Sequence, residues 1–380
     1  MKNFTSFFQL FAFAVLCFVS NSIAAQINAL PGSYLTSNQY TSVGIAGYGN
    51  NSVVVSKKSG ESNSYRLASY GVTSTGAVTL KDTEDFFSTA TPVLTKLSPN
   101  RMVVLTGNSE NSTARIYDID GNGNLAPKAT KVIAFAAWSA ESIVRLTNTS
   151  FAVAYTVDGK IRLYTLAVNA SGSSLIIKDE DQFVVANLQS LKLARMSDTR
   201  IVAAAVLSIS AMKLVCYDIN ATTGNIVRKG DYPWTWTTKR VTMTAFGDNK
   251  LACFTNDNSD RLDVVTYEIS AAGIFTQKFA YQDMVIPGTS TFFTFKSIDS
   301  QYDSGVGKIH LSGIRTTNKL NIVPFSFASN GSLTVTPTSQ HYYSTANYTE
   351  TSASAAAGNV VASSLQTDGK YRVQAFKWGN

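Results

Sequence analysis

The chain has 380 residues, 44% of them hydrophobic and 15% charged, with a formal net charge of +7. Its apolar content can fill a sizeable core, and three cysteines are too few for a disulfide-built miniprotein, so disorder and a disulfide scaffold are both excluded. The basic excess is scattered rather than gathered into Lys/Arg runs, which argues against nucleic-acid binding and leaves only weak attraction to acidic partners.

Residues 1–25 read as a secretory signal. Lys2 supplies a short positive start, Phe7 to Val19 an apolar run, and Ser22-Ile23-Ala24-Ala25 small residues at a cleavage site. The apolar run is short for a membrane-spanning helix, and no later stretch is long and apolar enough to span, so no transmembrane segment is expected. Bulky Leu16 before Cys17 is unlike a lipoprotein site. The expected location is extracellular, or periplasmic in a bacterium.

From Tyr70 onward the chain repeats one phrase. An aromatic residue is followed after a short turn by Gly: Tyr70/Gly76, Tyr117/Gly123, Tyr164/Gly172, Tyr217/Gly224, Tyr267/Gly273, Phe325/Gly331 and Phe376/Gly379. Successive aromatics lie 47, 47, 53, 50, 58 and 51 residues apart. A strand ending at the aromatic, a Gly that takes positive φ, and a new apolar start make a hairpin. Upstream of each aromatic lies a second polar turn, such as Ser98-Pro99-Asn100-Arg101 or Ser197-Asp198-Thr199-Arg200. A near-continuous apolar run follows it, Met102–Leu105 or Ile201–Val206, as expected of a strand buried on both faces. Each unit is therefore four strands, A to D: inner A, apolar B, aromatic-bearing C, and D after the Gly. In the sixth unit Lys308–Leu311 takes the B role, and an insertion around Asp299–Gly307 would account for the 58-residue interval.

The last unit stops at Asn380 without a strand D, while residues 26–38, including Leu30 and Tyr34, precede the first unit without a place of their own. The economical solution gives this N-terminal segment to the last unit and closes a ring. A period near 50 with strand patterning points to propeller blades. The pattern covers essentially all of the mature chain and resembles secreted seven-bladed β-propeller repeat proteins. The resemblance implies an all-β, single-domain ring of four-stranded blades over residues 26–380. Blades fall at about 39–88, 89–138, 139–188, 189–238, 239–288, 289–344, and 345–380 with 26–38. No WD dipeptide, Gly-Gly pair or Asp-box is present, so no family's functional residues carry over.

Strand D carries a lysine in five units, Lys81, Lys128, Lys178, Lys229 and Lys278. They suit either a polyanion-gripping ring or, more simply, protection of an outer sheet edge. Cys216 and Cys253 lie in apolar strand phrases, as buried thiols do, although an oxidising compartment would permit a disulfide. Asp118, Asp120 and Asn122 in Asp118-Ile119-Asp120-Gly121-Asn122-Gly123-Asn124 resemble a calcium loop, but they occupy a C–D hairpin where Asp, Asn and Gly are turn formers anyway. No cofactor other than this calcium candidate is expected.

The D-to-A connections are rich in aromatics: Phe86-Phe87, Phe135 with Trp138, Phe183, Tyr232-Pro233-Trp234-Thr235-Trp236, Phe279 with Tyr281, and His341-Tyr342-Tyr343. All should emerge on one face of the disc, where rings can stack on sugars or on a partner's side chains. Tyr232, Trp234, Trp236 and Trp138 are the chosen ligand-binding residues, because alternation puts Trp234 and Trp236 on one side of an extended strand and the unit has a core without them. No catalytic set is evident. Glu84-Asp85 and Asp179-Glu180-Asp181 read as solvated charges, His310 as a core histidine, and His341 as the one general base by type. The expected function is monomeric, non-catalytic recognition of a glycan or an extracellular protein. A glycoside hydrolase or polysaccharide lyase is the alternative, since propeller sites converge from several blades without a linear motif.

Overall fold

The computed structural model describes residues 27–378 except 39, 49–50, 109, 135–138, 158, 185–187, 189, 209–210, 287–289, 304–306, 336–340, 344–345 and 357–358. The segment expected to be a secretion signal, residues 1–25, and Trp138 lie outside the described residues.

Each repeat folds as its alternating phrases dictate. In the fourth blade strands A to D are Ser190–Ser197, Arg200–Ser208, Ala211–Ile219 and Ile226–Trp234. Strand B carries apolar groups on both faces and is buried from Arg200 to Val206. Strand D is the outer edge and is largely exposed along its length. Between C and D, Gly224 has φ 81°, a turn conformation that costs glycine nothing.

Seven antiparallel sheets of this kind are ordered A-B-C-D. The A strands of the first to seventh blades are Tyr40–Tyr48, Val93–Ser98, Ser139–Thr147, Ser190–Ser197, Arg240–Ala245, Phe295–Asp303 and Tyr348–Ala356. Each A strand touches the A strands of both neighbouring blades around a closed circle, so these strands form the inner ring. The chain is an all-β, seven-bladed propeller, with no helix among the described residues. Because strands alternate in direction, D–A and B–C connections share one face of the disc, and A–B and C–D turns share the other.

Neighbouring blades interlock through their C–D turns. Cβ atoms built on Gly123 and Gly273 would lie 2.9 Å from Lys81 Cβ and 2.5 Å from Lys229 Cβ of the preceding blade, so only glycine lets the turn nest there. Gly224 and Gly331 approach the stems of Lys178 and Lys278 in the same way. Lys81, Lys178, Lys229 and Lys278 thus lay their stems against the next blade, and the ammonium groups of Lys229 and Lys278 turn to Asp218 and Glu268 of their own blades. The hydroxyls of Thr165 and Thr266 donate to the Gly224 and Gly331 carbonyls of the next blade at 2.6 Å. Asp82 and Asp179 accept from the Leu125 and Ile226 amides at 2.8 and 2.7 Å.

Closure is as the unassigned N-terminal segment implied. Ile27–Leu35 pairs antiparallel with Tyr371–Trp378 and forms strand D of the seventh blade. The register shifts between Ala29 and Ser33, across Leu30-Pro31-Gly32, where a proline without an N–H fits a bulge. Leu30 and Tyr34 pack on a core that joins the first and seventh blades, and the hydroxyls of Tyr70 and Tyr371 meet at 2.6 Å within it.

One expectation is corrected. Asp299–Asp303 is not part of an insertion, because strand A of the sixth blade runs Phe295–Asp303; residues 304–306 of the expected insertion lie outside the described residues. The extra length lies earlier, in residues 282–294. There Val285 bridges Phe292 and Arg261 bridges Thr294, and Met284 and Phe293 are buried in the core between the fifth and sixth blades. His341–Tyr343 likewise forms a short strand paired with Leu320–Ile322 rather than an open loop.

Candidate functional site

Tyr232, Trp234 and Trp236 do lie on one side of the fourth blade's outer strand and its extension, but that side faces the fifth blade. Trp234 is 5% exposed and belongs to the core between these blades, among Val241, Met243 and Tyr267. Its expected role as an exposed contact is therefore corrected: the ring is an inter-blade plug. Tyr232 and Trp236 are half-buried against the same core. Trp236 meets Trp234 edge-on with centroids 5.5 Å apart, and Tyr232 meets Tyr267 at 5.2 Å. The burial of Trp234 follows from its slot. Phe86, Ile133 and Trp234 each stand ten residues after the turn Gly, and Phe183 eleven, and all four are buried. Alignment of the units on that glycine reveals a recurrent apolar position. Phe87, one residue past the slot, is 57% exposed.

Two grooves open on the opposite face. One, of about 440 Å³, lies between the fourth and fifth blades and is lined by Ser197, Arg200, Asp218, Asn220, Lys229 and Asn249 among others. Its charges are already paired. Arg200 Nε donates to Asp218 at 2.7 Å, and its terminal nitrogens donate to the Ser270 and Ala271 carbonyls of the fifth blade at 2.8 Å. Arg101 in the second blade repeats the device, bonding Asp118 at 2.6 Å and the Ala170 carbonyl of the third blade at 3.0 Å. A bridge built twice at equivalent positions is a clamp between blades, and its recurrence accounts for this groove's polarity. The second groove, of about 170 Å³, lies between the third and fourth blades and has Leu146, Asp198, Lys178 and Asn220 in its wall.

The Asp118–Asn124 string is a capped turn. Asp118 faces Arg101, with Lys128 at 3.6 Å. Asp120 accepts from the Asn122 and Asn124 amides at 2.9 Å and from Asn124 Nδ2 at 2.6 Å, and these bonds hold its carboxyl below the usual range. Asp118 is thus engaged by a guanidinium and Asp120 by its own loop. Among the described residues no group of three His, Cys, Asp or Glu could hold a metal. Cys216 and Cys253 are buried free thiols. Burial pushes Cys216 up to about 11 and raises Cys253 as well, so neither is poised as a nucleophile. His310 is buried in strand B of the sixth blade.

Asp263 is the carboxylate with the most perturbed titration. Burial pushes it up to about 6; the Asp283 N–H, donating at 2.8 Å, holds it down, while the charges of Asp283 and Asp257 push it further up. A folded value above the unfolded one means that the ionised form opposes folding at pH 7, and that this cost fades as pH falls through 6 towards 4. Asp263→Asn keeps an acceptor for the Asp283 amide. It should stabilise the protein by on the order of 2 kcal/mol at pH 7 and by nothing at pH 4, read as urea midpoints at the two pH values.

No protein-family model matches the chain, and no curated protein matches its sequence. Solved structures do align. The periplasmic gluconolactonase PpgL of Pseudomonas aeruginosa superposes with a TM-score of 0.56 at 13% identity, covering 84% of this chain and 99% of that one. A putative 6-phosphogluconolactonase of Bacteroides fragilis gives 0.54 at 13% identity, with 86% and 99% covered. The WD40 domain of Toxoplasma gondii coronin gives 0.56 at 10% identity, with 94% and 89% covered. At these identities the likeness is one of fold, and a fold shared by lactonases and a WD40 domain does not select a chemistry.

Proposed function

We propose that this protein is an exported, monomeric recognition propeller that binds a glycan or the surface of an extracellular protein without catalysis. The observation that supports this most is Trp236. It is half-buried at the D–A end of the outer strand, and the fixed Trp234 ring holds it edge-on at 5.5 Å. A ring that loses little freedom on contact, with Tyr232 on the same side, is suited to stacking on the apolar face of a sugar or against a partner's side chain. The signal-like first 25 residues support export. Trp138 stays in the proposal as a second aromatic of the same face, on sequence grounds alone.

A glycan array probed with the mature chain should show saturable binding that Trp236→Ala reduces at least tenfold, with the circular dichroism spectrum unchanged. Binding indifferent to this substitution would remove the site. Shortening of a bound glycan during incubation would instead favour the enzyme reading, in keeping with the lactonases that share the fold.

A further inference from the structure

The inner ring carries an uneven charge. In the second, third and fourth blades, the strand-A residue opposite the first apolar position of strand B is a cation: Lys96 opposite Met102, Arg145 opposite Phe151, and Arg195 opposite Ile201. The same slot in the remaining blades holds Gly47, opposite Ser52, and then Ala245, Tyr302 and Ala355. Three successive cations therefore occupy this slot along one arc of the inner ring near the A–B turns, and the slot holds no charged residue in the other four blades.

The cations sense one another. Lys96 is lowered by burial and then by Arg145; Arg145 is lowered by burial and then by Arg195, with the Asp198 charge opposing the shift only in part. Several guanidinium groups elsewhere find carboxylates, such as Arg66 with Asp85 at 2.7 Å, Arg101 with Asp118 at 2.6 Å, Arg200 with Asp218 at 2.7 Å and Arg261 with Asp283 at 3.0 Å. On the arc Asp198 contacts Arg195, and Arg195 Nε donates to the Leu146 carbonyl at 3.0 Å. Arg145 stands between the other two, and its Nε is buried with no hydrogen-bond partner. Leu146, next in the chain to Arg145, and Asp198, the partner of Arg195, belong to the wall of the 170 Å³ groove.

A half-buried guanidinium between two like charges opposes folding unless something negative completes it. We propose that the A–B end of the axis is an oxyanion-binding site, with Arg145 as the central fork and Lys96 and Arg195 at its flanks. The planar fork matches two oxygens of a carboxylate, sulfate or phosphate, and the flanking charges neutralise what remains. The site is on the face opposite Trp236, and it stands whether or not the glycan reading does.

The test is calorimetric titration of the mature chain with glucuronate, sodium sulfate and inorganic phosphate, with glucose as the neutral control. At least one anion should bind saturably and glucose should not. Arg145→Gln should weaken that binding at least tenfold and Lys96→Gln severalfold, while Lys131→Gln on the second blade's outer strand leaves it unchanged. A preference for glucuronate would assign the site to an acidic saccharide, and equal binding of sulfate or phosphate would assign it to the free oxyanion. At one anion concentration the melting temperature should also rise more in the wild type than in Lys96→Gln, which decides the matter if Arg145→Gln does not fold. Absence of saturable binding by all three anions, or wild-type affinity in Lys96→Gln, would overturn the proposal.

Discussion

Trp234→Ala is expected to lower the unfolding free energy by about 3–5 kcal/mol, the range for emptying a buried aromatic site. The ring is 5% exposed and fills the seam between the fourth and fifth blades, in contact with side chains of both. Blades are rigid sheets, so their seam collapses poorly around a void, which places the cost toward the upper end of that range. Two companions separate packing from chemistry. Trp236→Ala removes a half-exposed ring and should cost about 1 kcal/mol. Trp234→Phe keeps most of the apolar volume and discards an indole Nε1 that is buried without a hydrogen-bond partner, so it should recover much of the loss. Urea midpoints of the three variants provide the measurement. Equal midpoints for Trp234→Ala and Trp236→Ala would show that Trp234 does not join the blades. The comparison also governs how binding is read: a loss in Trp234→Ala mixes stability with recognition, whereas a loss in Trp236→Ala does not.

The architecture is legible in the chain because propeller blades repeat a local device. The aromatic of strand C and the apolar strand B recur in each unit, and the positive-φ turn glycine in the first six. The glycine is needed because the turn abuts the preceding blade, as Gly273 does with Lys229. The unassigned N-terminal segment and the missing last strand together imply closure by elimination. What the chain hides is which side of each strand D faces a neighbour. Alternation places Tyr232, Trp234 and Trp236 together, but only register against the other blades shows that Trp234 fills the slot of Phe86 and Phe183. The long sixth interval is ambiguous for a related reason: Asp299–Asp303 is polar and reads as a loop. Its polar side chains are engaged across blade seams, with Asp299 accepting from the Ser352 hydroxyl at 2.9 Å and Ser300 meeting Thr244 at 2.6 Å. Lys96, Arg145 and Arg195 are about fifty residues apart and look like scattered solvating charges until the ring brings them to one arc.

Removing residues 27–35 should produce a large effect of another kind. The deletion strips the outer strand from Tyr371–Trp378 and leaves a row of backbone donors and acceptors open on an apolar edge, the usual template for aggregation. It also removes Leu30, against which the Gly76 turn of the first blade nests and whose carbonyl accepts from Gln374 Nε2 at 2.6 Å. Tyr34 goes with it, leaving Tyr70 without a ring contact at 5.1 Å. The first and seventh blades would then meet mainly through their inner strands and the Tyr70–Tyr371 hydroxyl contact. The truncated chain should show a clearly lower urea midpoint and concentration-dependent light scattering. Leu30→Ala in the full chain should cost about 2 kcal/mol, at the low end for emptying a leucine site because Leu30 is only partly buried. Leu35→Ala, at a site 41% exposed, should be close to neutral. A truncated chain that remains monomeric with an unaltered midpoint would mean that the first strand closes nothing. Described pairing includes Ile27 opposite Trp378, so loss of residues from this end would begin to open the ring.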